Sequence, residues 1–147
     1  MVISGDYVIR EVNGTATAEV LRYLNSKAPD RFPPLEPRHL EQGHWWLVRT
    51  WERSIVGFAG MVPMIPFQHT GYLKRAYILP EHRGKGLQIK LMRLREAKAR
   101  DLGWTTLVGE CSQNPPSEAN FIKAGFEVCD PEQKWGAAGS IYFVKRL

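Results

Sequence analysis

Cysteine is scarce in this chain. Cys111 and Cys129 lie far apart, without a C-x-x-C pair or a histidine at ligand spacing, so no disulfide framework, zinc site or other metal is expected. A reducing compartment fits that usage. Long apolar runs are missing too: the longest, residues 55–67, is too short to span a bilayer and contains Pro63 and Pro66. The first residues, MVISGDYVIR, lack a basic segment followed by a continuous apolar core. The expectation is a cytoplasmic protein with no membrane partner. Two familiar nucleotide loops are also missing. A Walker loop needs four residues between its first glycine and Gly-Lys-Ser/Thr, and the dinucleotide pattern G-x-G-x-x-G fails because Ile89 stands where its third glycine belongs.

What is present suffices for one domain over residues 1–147: 44% apolar and 24% charged residues are ordinary globular values, and the length supports a core without staples. A net charge of +5 raises the question of a polyanionic partner. Much of the excess falls on Lys90, Arg93, Arg95, Lys98 and Arg100, which occupy several faces of a predicted helix rather than one stripe. That pattern reads as a solvated basic helix, and an anionic cofactor would draw on the same charge. Nucleic acid is not the expected partner.

The pattern of elements is mixed. Residues 7–12 are a predicted strand ended by Asn13-Gly14, and Thr15 or Thr17 can cap a helix that turns Val20, Leu21, Leu24 and Ala28 inward. Residues 30–39 are too proline-rich for a regular helix before about Glu36. Residues 44–51 and 55–62 read as a hairpin, with Trp45, Leu47 and Trp51 on one face of its first strand and Trp46 and Val48 on the other. A second hairpin turns through residues 68–71. Gly103 suits a helix end, residues 104–111 a strand, and Asn114-Pro115-Pro116 the start of another helix. Residues 126–129 and 140–144 form a last strand pair, separated by a polar loop with Trp135 and Gly136.

The organising stretch is residues 73–94. A strand-like run ends at Pro80, Arg83-Gly84-Lys85-Gly86 follows, and Leu87, Leu91, Leu94 and Ala97 then recur at helical spacing. Glycines at a strand-to-helix junction allow close backbone approach, and the first amides of a helix lack internal partners. Phosphate or pyrophosphate is the ligand such a cradle suits. A plain surface turn carries the same residues.

Two motifs together go further. Arg83 and Gly86 match the pattern Q/R-x-x-G-x-G/A, with Gln88 in its last place, and Asn114, Gly125 and Phe126 match N-x6-Y-x3-G-F, with Phe121 in the place of the tyrosine. In this order, each beside the strand and helix it needs, they resemble the GNAT superfamily of acyl-CoA-dependent N-acyltransferases. The resemblance implies an α/β (α+β) fold, a mixed sheet of about six to seven strands with flanking helices in the order β-α-α-β-β-β-α-β-α-β-β. It implies acetyl-CoA as cosubstrate. The pantetheine arm would lie between two splayed strands against the backbone near Ile78 and Leu79, and the pyrophosphate would meet the amides of Arg83, Gly84, Lys85, Gly86, Leu87 and Gln88. Asn114 would reach the pantetheine or only cap its helix, and Phe121 would sit beside the thiol.

Acetyl transfer to an amine needs a neutral amine and a way to discharge the leaving thiolate. Phe121 cannot donate a hydrogen bond, and the strand position where some relatives carry a glutamate is Gly109, with Glu110 one step along on the opposite face. Ser117, one turn before Phe121, is the candidate proton donor. Glu110 and Tyr77 lead the candidate bases, with Glu36 and His69 behind them, while Phe32, Leu35, Glu36 and His39 would line the acceptor side with Trp135. The resemblance thus implies direct attack by an amine, small-molecule or protein, in a ternary complex; a catalytically impaired acyl-CoA-binding or sensor module is the alternative. A homodimer is compatible with it.

Overall fold

The computed structural model describes residues 1–28, 33–65 and 67–147. Eight strands among them form one sheet: β1 (Val2–Ser4), β2 (Tyr7–Val12), β3 (His44–Thr50), β4 (Ile55–Pro63), β5 (Thr70–Ile78), β6 (Thr106–Cys111), β7 (Glu127–Cys129) and β8 (Ile141–Arg146). Their spatial order is β1-β2-β3-β4-β5-β6-β8-β7, and only the β5–β6 pair is parallel. The mixed α/β sheet matches expectation with one strand more than the six to seven foreseen. The addition is β1, which pairs back onto β2 through the Gly5 turn. Three residues are too few for alternation to show in a sequence.

Helices α1 (Ala18–Lys27) and α2 (Pro37–Gln42) cover one face of the sheet, and α3 (Leu87–Asp101) and α4 (Pro115–Lys123) cover the other. Period-2 alternation decides which core each β3 side chain joins: Trp45 and Leu47 pack with Leu21, Leu24 and Leu40, whereas Trp46 and Val48 pack on the α3 side. Trp51 departs from the expected face. It lies beyond the end of β3, 57% exposed, with its indole Nε1 donating to the Gly5 carbonyl. None of the helices among the described residues is long and apolar enough to cross a membrane.

Two irregularities shape the middle of the sheet. β5 pairs with β6 only from Thr70–Thr106 to Tyr72–Val108, and beyond Tyr72 the two strands part. At the same point the β4–β5 register shifts, so that Gly60 faces Arg75 while Val62 faces Tyr72. An extra residue in one strand adds local twist and frees backbone groups. Arg95 of α3, expected on a solvated face, instead reaches this bulge: it is 2% exposed and donates to the carbonyls of Leu91, Gly60 and Arg75. Burial lowers its pKa to about 9, and the three carbonyls take the place of a counter-ion.

Candidate active site

The parting of β5 and β6 opens a cleft of about 1070 Å³ that runs from the glycine loop, between the strands, to a wall built by α2, β5 and the loop before β8. At one end, Gly84 (φ +76°) and Gly86 (φ +75°) both take the left-handed conformation, and Gly86 is the N-cap of α3. A Cβ at either would meet nothing within 4 Å, so what selects glycine there is backbone conformation and not space. The residues from Gly84 to the first turn of α3 border the cleft, with Gln88 half-buried on that turn. Of the amides expected to meet a pyrophosphate, that of Arg83 is already bonded to the Pro80 carbonyl.

The Arg83 side chain also turns inward. Its Nε donates to the Ile78 carbonyl at 3.0 Å and its guanidinium lies over the Tyr77 ring, 5.4 Å from the centroid. Leu79 is committed as well, its amide to Val56 and its carbonyl to the His82 amide. Because successive residues of a strand direct their backbone groups to opposite sides, Ile78 then faces away from β4 and into the gap. Of the two backbone positions expected to meet the cofactor arm, only Ile78 has an amide directed there. Tyr77 is spent too. Its hydroxyl donates to the Lys27 carbonyl at 3.1 Å, so this candidate base instead ties α1 to β5.

At the far side of the gap, β6 separates two surroundings. Gly109 faces α4: a Cβ there would come within 2.6 Å of the Phe121 ring, which is 5% exposed, stacked on Phe143 at 4.4 Å and edge-on to Phe126. Asn114 caps α4, its Oδ1 accepting the Ser117 amide at 3.2 Å, and Ser117 borders the cleft beside Cys111. Burial and the Glu118 charge push the Cys111 thiol up to about 11.

Glu110, one residue on, faces the other way. Its Oε1 accepts the Tyr72 hydroxyl at 3.0 Å, and burial and the adjacent Glu110 charge raise the Tyr72 pKa, so that proton stays in place. Trp135 closes over the pair, edge-on to Tyr72 and to Tyr142, while the Gly136 amide donates to the Tyr142 hydroxyl. A Cβ at Gly136 would collide with the Glu110 carboxylate. Next to Tyr72, Lys74 sits half-buried with its Nζ 5.8 Å from the Tyr72 ring, and burial with the neighbouring Arg75 charge lowers its pKa to about 8.

The other sequence candidates scatter. Leu35 is core, 3% exposed beside α1, and not a pocket wall. Glu36 is exposed and paired with Arg38 at 2.7 Å, whereas His39 borders the cleft. His69 occupies the β4–β5 turn, its carbonyl taking the Thr105 and Thr106 amides, and does not line the cleft. Phe32 lies outside the described residues. No group of three or more His, Cys, Asp or Glu able to hold a metal occurs among the described residues. Tyr72, Lys74 and Arg75 were not foreseen; their only trace in the sequence is a polar run inside a predicted strand.

A parallel crossover with a glycine loop at its turn and a V-shaped gap between the joined strands is one arrangement seen in two dimensions, sequence and space. The family model for the acetyltransferase (GNAT) family matches residues 16–126. The chain belongs to that family. GNAT members transfer acyl groups from acyl-CoA, and the matched span holds both motifs, the cleft's two strands and α3. Solved structures share its fold at low identity. A GNAT-family acetyltransferase from Staphylococcus aureus Mu50 is 13% identical at a TM-score of 0.78, with 95% of this chain and 98% of that one covered. A GNAT-family acetyltransferase from Elizabethkingia anophelis with acetyl-CoA bound is 19% identical at 0.71, covering 97% and 99%. The spermidine N-acetyltransferase of Vibrio cholerae, in complex with CoA and spermine, is 13% identical at 0.72, covering 96% and 95%. Among curated proteins, no sequence matches significantly.

Proposed function

We propose that this GNAT protein transfers an acetyl group from acetyl-CoA to the amine of an acceptor, by direct attack in a ternary complex, with Glu110 as the base. The observation that carries this reading is the Tyr72–Glu110 hydrogen bond, which fixes a carboxylate in the same cleft as the glycine loop, on the side away from α4. When bound, acetyl-CoA supplies the acetyl group as a thioester. The amides of residues 84–88 and the charge of Lys85 hold its diphosphate, and the Ile78 amide faces its arm.

Glu110 takes the proton that the amine loses as its nitrogen–carbon bond forms and the carbon–sulfur bond breaks. Tyr72 donates to one carboxylate oxygen, which leaves the other for the amine and fixes the carboxylate's orientation. Ser117, at the start of α4 and bordering the cleft, is the hydroxyl available to the departing thiolate. A covalent acyl-cysteine route is disfavoured, because burial keeps the Cys111 thiol protonated near neutral pH and the thiolate is the nucleophile.

Thermal unfolding with acetyl-CoA, CoA and a nucleotide control comes first. A ligand at a hundred times its dissociation constant adds about 2.7 kcal/mol, several degrees in a domain of this size. Free CoA release with a panel of amines follows. Amine-dependent release supports the enzyme; a shift without release from any amine points to the acyl-CoA-binding module that Phe121 and Gly109 suggest, and no shift removes both.

A further inference from the structure

The cleft's acceptor end is charged in an uneven way. The β5 bulge interrupts alternation after Leu73, so that Arg75, like Tyr72 and Tyr77, lies on the α1–α2 side, and Lys74 stands between them beside Tyr72. Two consecutive basic residues are thereby delivered to one side of a strand. From α2, Arg38 and His39 border the same space. Of the acids within electrostatic reach of Lys74, Glu36 is paired with Arg38 and Glu110 holds the Tyr72 hydroxyl. Arg75 is committed to the carbonyls of Lys74 and Pro33, and contributes field more than a contact.

Lys74 differs from its neighbours. Its ammonium is half-buried and makes no ion pair among the described residues, which leaves its donors to offer. Close by, His39 Nδ1 is buried without a hydrogen-bond partner among them. A cation held partly out of water is costly unless something pairs with it.

We propose that the acceptor carries a compact anionic group, a carboxylate or a phosphate, in addition to its amine, and that Lys74 holds that group with His39 beside it. The inference rests on the acetyl-transfer reading for the identity of the cleft. Glu110 then faces the amine and Lys74 the anion, so one acceptor of opposite charges is oriented by both ends. A polyamine fits poorly, since its second ammonium would meet the Lys74, Arg75 and Arg38 charges. Tyr72 and Trp135, edge-on to each other, border the same space and suit an apolar body on the acceptor.

Binding of product analogues tests this without requiring turnover. Calorimetry on the protein, with and without CoA, would compare N-acetylphenylalanine, its neutral amide and the phosphate ester of N-acetylethanolamine. An anionic analogue should bind at least about tenfold more tightly than the amide, and Lys74→Gln should erase that advantage while leaving amide and CoA affinities unchanged. Which of the two anions gains identifies the group. Equal affinities, an advantage that survives Lys74→Gln, or binding by none of the three overturns the proposal. Failure to release CoA with any amine would sink the acetyl-transfer reading alone, because a Lys74-dependent anion preference would still stand.

Discussion

The two sides of the sheet at the gap between β5 and β6 are built by different means. On the α3–α4 side the glycine loop offers backbone amides, and Gly109, Phe121, Phe126 and Phe143 close the rest by ring-to-ring packing. On the α1–α2 side, side chains from separate elements supply everything: Tyr72 and Lys74 from β5, Glu110 from β6, His39 from α2 and Trp135 from the last loop. A side assembled by packing answers to mutation through stability, and a side assembled by charge answers through turnover. Gly109 and Glu110, adjacent in one strand, fall on opposite sides of that division.

The largest effect tests the packed side. Phe121→Ala removes a buried ring from between Gly109 and Phe143 and should cost about 3–5 kcal/mol, lowering Tm by roughly 10 °C or more. A fall of only one or two degrees would show that the ring serves the cleft rather than the core. Glu110→Gln is the counterpart. It keeps an acceptor oxygen for the Tyr72 hydroxyl, so Tm should hold within about 2 °C while kcat falls about 10²- to 10³-fold. Unchanged kcat with an active acceptor would take the base away from Glu110 and erase the contrast between the two sides.

The same division explains what the sequence could disclose. Backbone-built features leave local marks: the loop glycines, Asn114 before two prolines, and the apolar spacing of α3 were all readable, because each is selected by conformation or periodicity within a few residues. The α1–α2 side leaves none. Whether Arg75 joins Tyr72 and Lys74 on one side depends on a bulge whose extra residue is defined only by pairing with β4, and a strand read in isolation has strict alternation. Arg95 was misplaced for a related reason. A charged residue at a helix position reads as solvated, yet the carbonyls that satisfy it are supplied by the bulge itself. Tyr77 shows the limit on chemistry: its type suited a base, but its partner, the Lys27 carbonyl, lies 50 residues away in sequence.

A smaller effect separates conformation from contact at the loop. Gly86→Ala places no atom near another group, so its whole cost is the left-handed backbone, roughly 1–2 kcal/mol. If the protein escapes that cost by reshaping the loop, Tm stays near wild type and acetyl-CoA affinity falls about tenfold. If it keeps the loop, Tm drops by a few degrees and affinity holds. Neither change would mean that Gly86 is not required to be left-handed.

The smallest effect is also the one whose sign is most informative. Lys74 is surrounded by Arg75 on its own strand, Glu36 at the N-cap of α2, Arg38 and His39 on α2, and Glu110 on β6, and its pKa falls to about 8 from an ordinary 10.5, chiefly by burial and then through Arg75. Below about pH 8 both folded and unfolded chains hold the proton, and the folded state bears the full cost of the half-buried charge. Between about 8 and 10.5 the unfolded chain keeps a proton that the folded chain has lost, so this group's contribution to stability rises with pH. Lys74→Met should therefore raise Tm slightly at pH 7, by about 1–2 °C given the screening at a half-exposed site, and the gain should vanish by pH 10. Saturating the wild type with an anionic analogue should reverse the order at pH 7, because the ammonium would then have its partner. A Lys74→Met variant less stable than wild type at pH 7 without ligand would mean that the folded chain already pairs this charge, and Lys74 would no longer be available to the anion.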